Sequence, residues 1–214
     1  MHFNVGTLQK IGDLQDVFPD SLTLSAAQKE QERMLQHADV GFAKMRGGTW
    51  TSRCLHILQK HLDRYDYYDV RVNTYVHSLR KGWYPDLPIW HCRSVYQNQT
   101  NLVFHPDIDK DVRHFLLCSH TPTIQFLEDR DIALKFCQNW ENVHNEIQSH
   151  QVTPFCIPPG RMVECNALEL MRAVQGQESG WRYLFWATLF PQDDPRRGKC
   201  RNNVRWQTQI YLKR

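Results

Sequence analysis

Three short stretches hold the residues whose types and spacing could do chemistry. The first is Trp90-His91-Cys92-Arg93. The second is Ile157-Pro158-Pro159-Gly160 with Glu164-Cys165-Asn166 beyond it, and the third is Gly180-Trp181-Arg182. An imidazole at His91 is a candidate metal ligand or proton carrier. Along a strand, the next side chain on the same face comes two residues later, and there stands Arg93. A guanidinium stays charged and has no lone pair for a metal, so this pair cannot share an iron. Cys92 beside His91 suggests a thiolate–imidazole dyad, but strand neighbours point to opposite faces and do not form one.

Three cations fall on stretches that read as strand: Arg93, Arg172 and Arg182. If two of them point inward they need an anion, either an internal acid such as Glu164, Glu169 or Asp129, or a ligand carrying carboxylate or phosphate. The two readings weigh equally. Trp90, Trp181 and Trp186 could floor such a pocket by stacking, and core packing explains them as well. The ligand-binding candidates are therefore His91, Arg93, Arg172, Arg182, Trp90 and Asn166, with no catalytic residue, metal ligand or cofactor assigned. A metal returns only if Glu164, Cys165 or Glu169 pairs with His91, or if His105, His114 or His120 moves in; any one of the eleven histidines is more often a surface or boundary residue. No GxSxG elbow, Walker loop, GxGxxG or HExxH occurs.

The elements that must position these residues change character along the chain. Residues 1–24 read as an irregular arm broken at Pro19-Asp20. Ser25 with Gln28 resembles a capping box, and Ala27, Met34, Leu35 and Phe42 fall near helical spacing, which predicts one helix ending at Gly47-Gly48. A second helix is predicted from Thr51 to about Tyr65. Strand chemistry begins with YDVRVNTYV and continues at Val112–Cys118, Thr121–Leu127, Val152–Ile157, Met162–Cys165, Glu169–Val174, Trp181–Leu189 and Asn203–Leu212. One helix interrupts the series, where Phe136, Trp140, Val143, His144 and Ile147 form an apolar stripe. His144 on that stripe reads as a core or boundary histidine.

Bulk properties narrow the class. With 214 residues, 41% hydrophobic and 23% charged, the chain has globular composition and enough length for one sizeable core. A net charge of +3 names no partner by itself. Arg196 to Arg214, however, holds seven Lys or Arg and no acid. This stretch reads as a solvated basic strand first and a phosphate-contacting one second. Seven cysteines at irregular spacing without a CxxC pair argue against a disulfide framework and a structural zinc site. No signal-like N-terminus and no membrane-length apolar run is seen, so the expected location is the cytoplasm, or the host cytoplasm for a viral protein.

In the order WHC, TPTIQFL, WENVHNEI, PPG, GWRYLFWAT and NNVRWQTQIYL, from about Tyr84 to Leu212, the chain resembles a family of phage and bacterial proteins of uncharacterised function. That pattern is similar to the double-stranded β-helix of cupins and 2-oxoglutarate/iron oxygenases. The resemblance implies a His-x-Asp on the first barrel strands, a second histidine on a late strand, and an arginine that binds an acidic co-substrate. This chain departs from it twice: Arg93 stands where the acid belongs, and Glu164 to Arg172 contains no histidine. Arg182 matches the arginine.

The expectation is an α+β fold: a cupin-like jelly roll over 66–214, a helical N-terminal extension over 1–65, and one inserted helix. Its expected role is that of a non-catalytic or altered member binding a small anionic ligand or a protein partner in the barrel mouth. Nucleic acid along the basic C-terminal strand is a lesser partner, and self-association is left open. The alternatives are a metal-dependent oxygenase or isomerase centred on His91, and a viral structural or assembly protein.

Overall fold

The strand chemistry in YDVRVNTYV and GWRYLFWATLF yields the two longest strands among the described residues. They are eleven residues each and pair antiparallel throughout, from Gly180 opposite Leu79 to Phe190 opposite Asp69. The structure, a computed structural model, describes residues 2–3, 9–13, 31–63, 69–93, 96–97, 102–103, 111–119, 123–127, 132–134 and 138–205. Along the chain run β1 (His2–Phe3), β2 (Gln9–Asp13), β3 (Met34–Gln36), α1 (Val40–Arg46), α2 (Thr49–Leu62) and β4 (Asp69–Leu79). Next come β5 (Tyr96–Gln97), β6 (Leu102–Val103), β7 (Arg113–Cys118), β8 (Ile124–Leu127), β9 (Ile132–Ala133) and α3 (Trp140–Ser149). The series ends with β10 (Pro154–Cys156), β11 (Arg161–Asn166), β12 (Met171–Ala173), β13 (Gly180–Phe190) and β14 (Asn203–Arg205).

The fold is α+β, with antiparallel sheets and three helices among the described residues. A five-stranded sheet runs in the order β2-β11-β7-β13-β4, and a smaller one in the order β10-β8-β12. His91 extends the smaller sheet: its N–H and C=O bond Met171 on β12, each at 2.9 Å. Leaving aside the two-residue strands, eight extended segments run from β4 to β13. The first pairs with the eighth, the second (His91) with the seventh, the third with the sixth and the fourth with the fifth. Among the described residues the two sheets do not join into a closed barrel.

Both faces of the main sheet are covered, which is why β13 buries every residue from Arg182 to Phe190. On one face the odd-numbered Tyr183, Phe185, Ala187 and Leu189 meet Val72, Val76 and the helix residues Trp50, Leu55 and Leu58. Each such side chain contributes about 1.5–3 kcal/mol on burial. The helices of the expected N-terminal extension thus pack directly on the main sheet. On the other face Leu184, Trp186, Leu116 and Val163 meet Ile124, Phe126 and Met171 of the smaller sheet. That sheet's outer face carries Leu127 and Leu170, covered by Trp140, Val143 and Ile147 of α3. No helix among the described residues is long and apolar enough to cross a membrane.

The single helix predicted from Ser25 to Met45 is corrected. Residues 14–30 lie outside the described part, and Met34–Gln36 is a strand bonded to β14. His37, at φ 52, turns the chain out of any helix, and Asp39 then caps α1 by accepting from Phe42 N at 2.7 Å. Glu32 does the same for α2, accepting from Trp50 N at 2.5 Å and from the Thr51 hydroxyl at 3.1 Å. Burial outweighs those bonds and raises the Glu32 pKa to about 7. Gly48 between them, at φ 88, leaves no room for a Cβ, which would fall 2.2 Å from the Gln31 carbonyl oxygen.

Candidate functional site: a cationic cavity between the sheets

Alternation along β4 sends Val70, Val72, Thr74 and Val76 into the helix-covered core and leaves Arg71, Asn73, Tyr75 and His77 on the inner face. The register sets Arg71 opposite Thr188 and Asn73 opposite Trp186, with His114 of β7 beyond Thr188. Toward the Asp69–Phe190 end this face opens into a cavity of about 240 Å³. Arg93 from the segment after His91, Arg196 from the turn after β13, and His37 from the turn after β3 complete its wall. Among the described residues, no aspartate or glutamate lines it.

Aromatic rings hold the guanidinium groups. Arg71 and Arg196 lie 4.5 and 5.2 Å from the centroid of Phe190, and Arg93 lies 5.0 Å from that of Trp186. Carboxylates behind the wall fix two of the three: Arg93 pairs with Asp86, and Arg196 makes a fork of 2.8 and 2.6 Å on Asp194. Burial opposes the charge on Asp194, but the bonds and charge of Arg196 hold its pKa below the usual carboxylate range. Arg71 differs. Its Nη2 donates to the Arg196 carbonyl at 2.7 Å and its Nε is buried with no hydrogen-bond partner; Asp194 acts on it electrostatically, but no carboxylate forms a direct ion pair with it among the described residues.

The histidines in the wall are neutral. Trp186 Nε1–H donates to His114 Nδ1 at 3.2 Å, so that nitrogen carries no proton. Burial, and then Arg93 and Arg196, depress the His114 pKa to about 3. Burial, followed by Arg71, Arg201 and Arg205, lowers that of His37 as well.

Of the arginines singled out from sequence, only Arg93 lines the cavity. Arg172 lies on the smaller sheet, 4.6 Å from the Trp90 centroid, with its Nε donating to Gln125 at 2.9 Å. Arg182 is 1% exposed; its Nη1 donates to the Thr123 hydroxyl and its Nε has no partner. Opposite it stands His77, whose Nε2 is also buried without a partner and whose pKa falls to about 3 through burial and the Arg182 charge. His91 sits edge-on to Trp140, with Nδ1 2.8 Å from the Ile89 carbonyl oxygen. Cys92 Sγ donates to the Leu168 carbonyl, apart from the imidazole. Trp90 is buried under α3, where its N–H donates to His144 Nδ1 at 3.2 Å. Asn166 Oδ1 accepts from Leu168 N at 2.8 Å and shapes the turn after β11.

Arg93 faces Trp186, and among the described residues no three His, Cys, Asp or Glu side chains gather as a metal set. His105, His120 and Asp129 lie outside the described residues. Sequence reasoning missed Arg71 and His37, and placed Arg196 only in the basic C-terminal stretch. For Arg71 the signal was the polar odd-numbered set on β4; Arg196 and His37 reach the wall only through long-range packing. The sequence matches no family model and no curated protein.

Proposed function

We propose that the protein binds a small anionic ligand in the cavity, with Arg71 as principal contact and Arg93 and Arg196 beside it. The observation that carries this is the wall itself: the guanidinium residues Arg71, Arg93 and Arg196 converge on the cavity, and no carboxylate lines it among the described residues. A buried cation is costly unless an anion satisfies it. The rings of Phe190 and Trp186 already carry guanidinium groups, so the donor edges of the arginines, rather than ring faces, are left to the ligand. That favours a compact anion over a stacked base.

The nested pairing of eight segments supports reading the fold as a jelly roll, because rolling one long hairpin across two sheets produces that order. The cavity then occupies one mouth of the roll. Isothermal titration with inorganic phosphate and with citrate tests the proposal. The wild-type chain is expected to bind at least one of them, and Arg71→Met to bind it about 10- to 100-fold more weakly, as loss of a hydrogen bond to a charged group implies. Arg172→Ala is expected to bind as the wild type does. Equal heats for wild type and Arg71→Met would overturn the reading.

A further inference from the structure

The cavity is not an isolated hole. Arg196 in its wall belongs to the segment 195–205, which follows β13 and ends with β14. The segment is anchored to the cavity wall at several points: the Arg196 carbonyl takes the Arg71 bond, and Arg201 N and Asn202 N donate to the His37 carbonyl at 2.8 and 3.2 Å. Gly198 N donates to Asp69 at 2.7 Å, and Asn202 Nδ2 to Asp39 at 2.8 Å. Asp69 and Asp39 are thus occupied by it, as Asp194 is by Arg196. From 195 to 205 the segment contains no acid, and Arg197, Lys199, Arg201 and Arg205 all stand exposed. Of the two acids just before it, Asp194 is buried against Arg196 and Asp193 is exposed.

A cavity of about 240 Å³ is smaller than the roughly 300–1,000 Å³ of pockets that enclose drug-sized ligands. It suits one compact anionic group, while four cations wait outside on one continuous piece of chain. Guanidinium forks match phosphate oxygens, and a row of them follows a phosphate backbone without reading bases. On the reading that the cavity takes an anion, we infer that the anion is the terminal phosphate of a single-stranded nucleic acid whose next phosphates run along Arg197, Lys199, Arg201 and Arg205.

The test measures anisotropy of a 3′-labelled single-stranded DNA, with a 5′-phosphate or a 5′-hydroxyl, against the full chain, and titrates inorganic phosphate in parallel. The phosphorylated strand is expected to bind at least tenfold more tightly than both inorganic phosphate and the hydroxyl strand, and to weaken steeply with salt. The variant with Arg197, Lys199, Arg201 and Arg205 all changed to Ala is expected to lose that tenfold advantage yet bind phosphate as before, which also shows that it has folded. A strand that binds no better than free phosphate overturns the inference while leaving the cavity reading standing. So does polyglutamate binding as tightly as the strand. A strand that binds equally with either 5′ end removes the terminal-phosphate claim. Absence of phosphate binding to the wild type removes the cavity reading itself.

Discussion

One pair of strands carries a cation at each end of the same face, and the two ends differ. Toward Asp69 and Phe190, Arg71 looks into a cavity of about 240 Å³. Toward Leu79 and Gly180, Arg182 is sealed in: its hydroxyl partner Thr123 borders a space of only about 10 Å³, room for about one water. Both guanidinium groups have a buried Nε without a partner. What separates them is the covering layer. At the sealed end Ile124 and Ile157 close on Leu184 and Cys118. At the open end the wall is made instead by Arg93, Arg196 and His37, which arrive from turns. Alternation along a strand assigns a cation to a face; the opposite layer decides whether that cation borders open space or only protein.

The largest expected effect breaks this comparison at its sealed end. Arg182→Met, which keeps the bulk and removes the charge, is expected to raise the urea-unfolding free energy by about 1–4 kcal/mol and to leave anion binding unchanged. Destabilisation would mean that the Thr123 bond is worth more than the burial of the charge costs. At the open end, Arg71→Met is expected to change stability by less than about 1 kcal/mol while weakening anion binding as given above. If the two variants exchanged behaviours, the contrast between the ends would be lost.

Acid should expose the two buried histidines. His77 and His114 are each neutral in the fold, with pKa near 3 against 6.5 for the free side chain, burial being the main cause. A depressed folded pKa gives stability that is complete above 6.5 and is lost as pH falls toward 3, because only the unfolded chain takes the proton in that window. Urea midpoints measured at pH 7 and pH 4 should therefore fall, and His77→Phe should fall less. No difference between the two proteins would remove His77 from the acid response. The smallest effect distinguishes the ends by charge. An anion in the cavity screens Arg93 and Arg196, so the His114 pKa followed by NMR should rise when phosphate is added, while that of His77 stays. A parallel rise at both would place the anion elsewhere.

Much of this architecture was legible in the sequence because strand alternation and helical apolar spacing are local. YDVRVNTYV and GWRYLFWATLF announced the long strands, and Trp140, Val143 and Ile147 announced α3. The helix drawn through Met34 failed because the apolar spacing there fits two periods, and the strand won through pairing with β14, some 170 residues away. Arg93 could be singled out from its place two residues after His91. Arg71 could not be told from a solvated cation, since one polar face is ordinary in an antiparallel strand and only the second covering layer makes it an inner face. Arg196 and His37 carried no sequence signal for the cavity, because turns distant along the chain bring them there.

Anomalous diffraction from a crystal soaked in selenate tests the central claim most directly. The account expects a selenium peak inside the cavity, with its oxygens within hydrogen-bonding distance of the Arg71 guanidinium. Selenate found only on outer arginines, with the cavity empty or filled by a carboxylate of the chain itself, would contradict it.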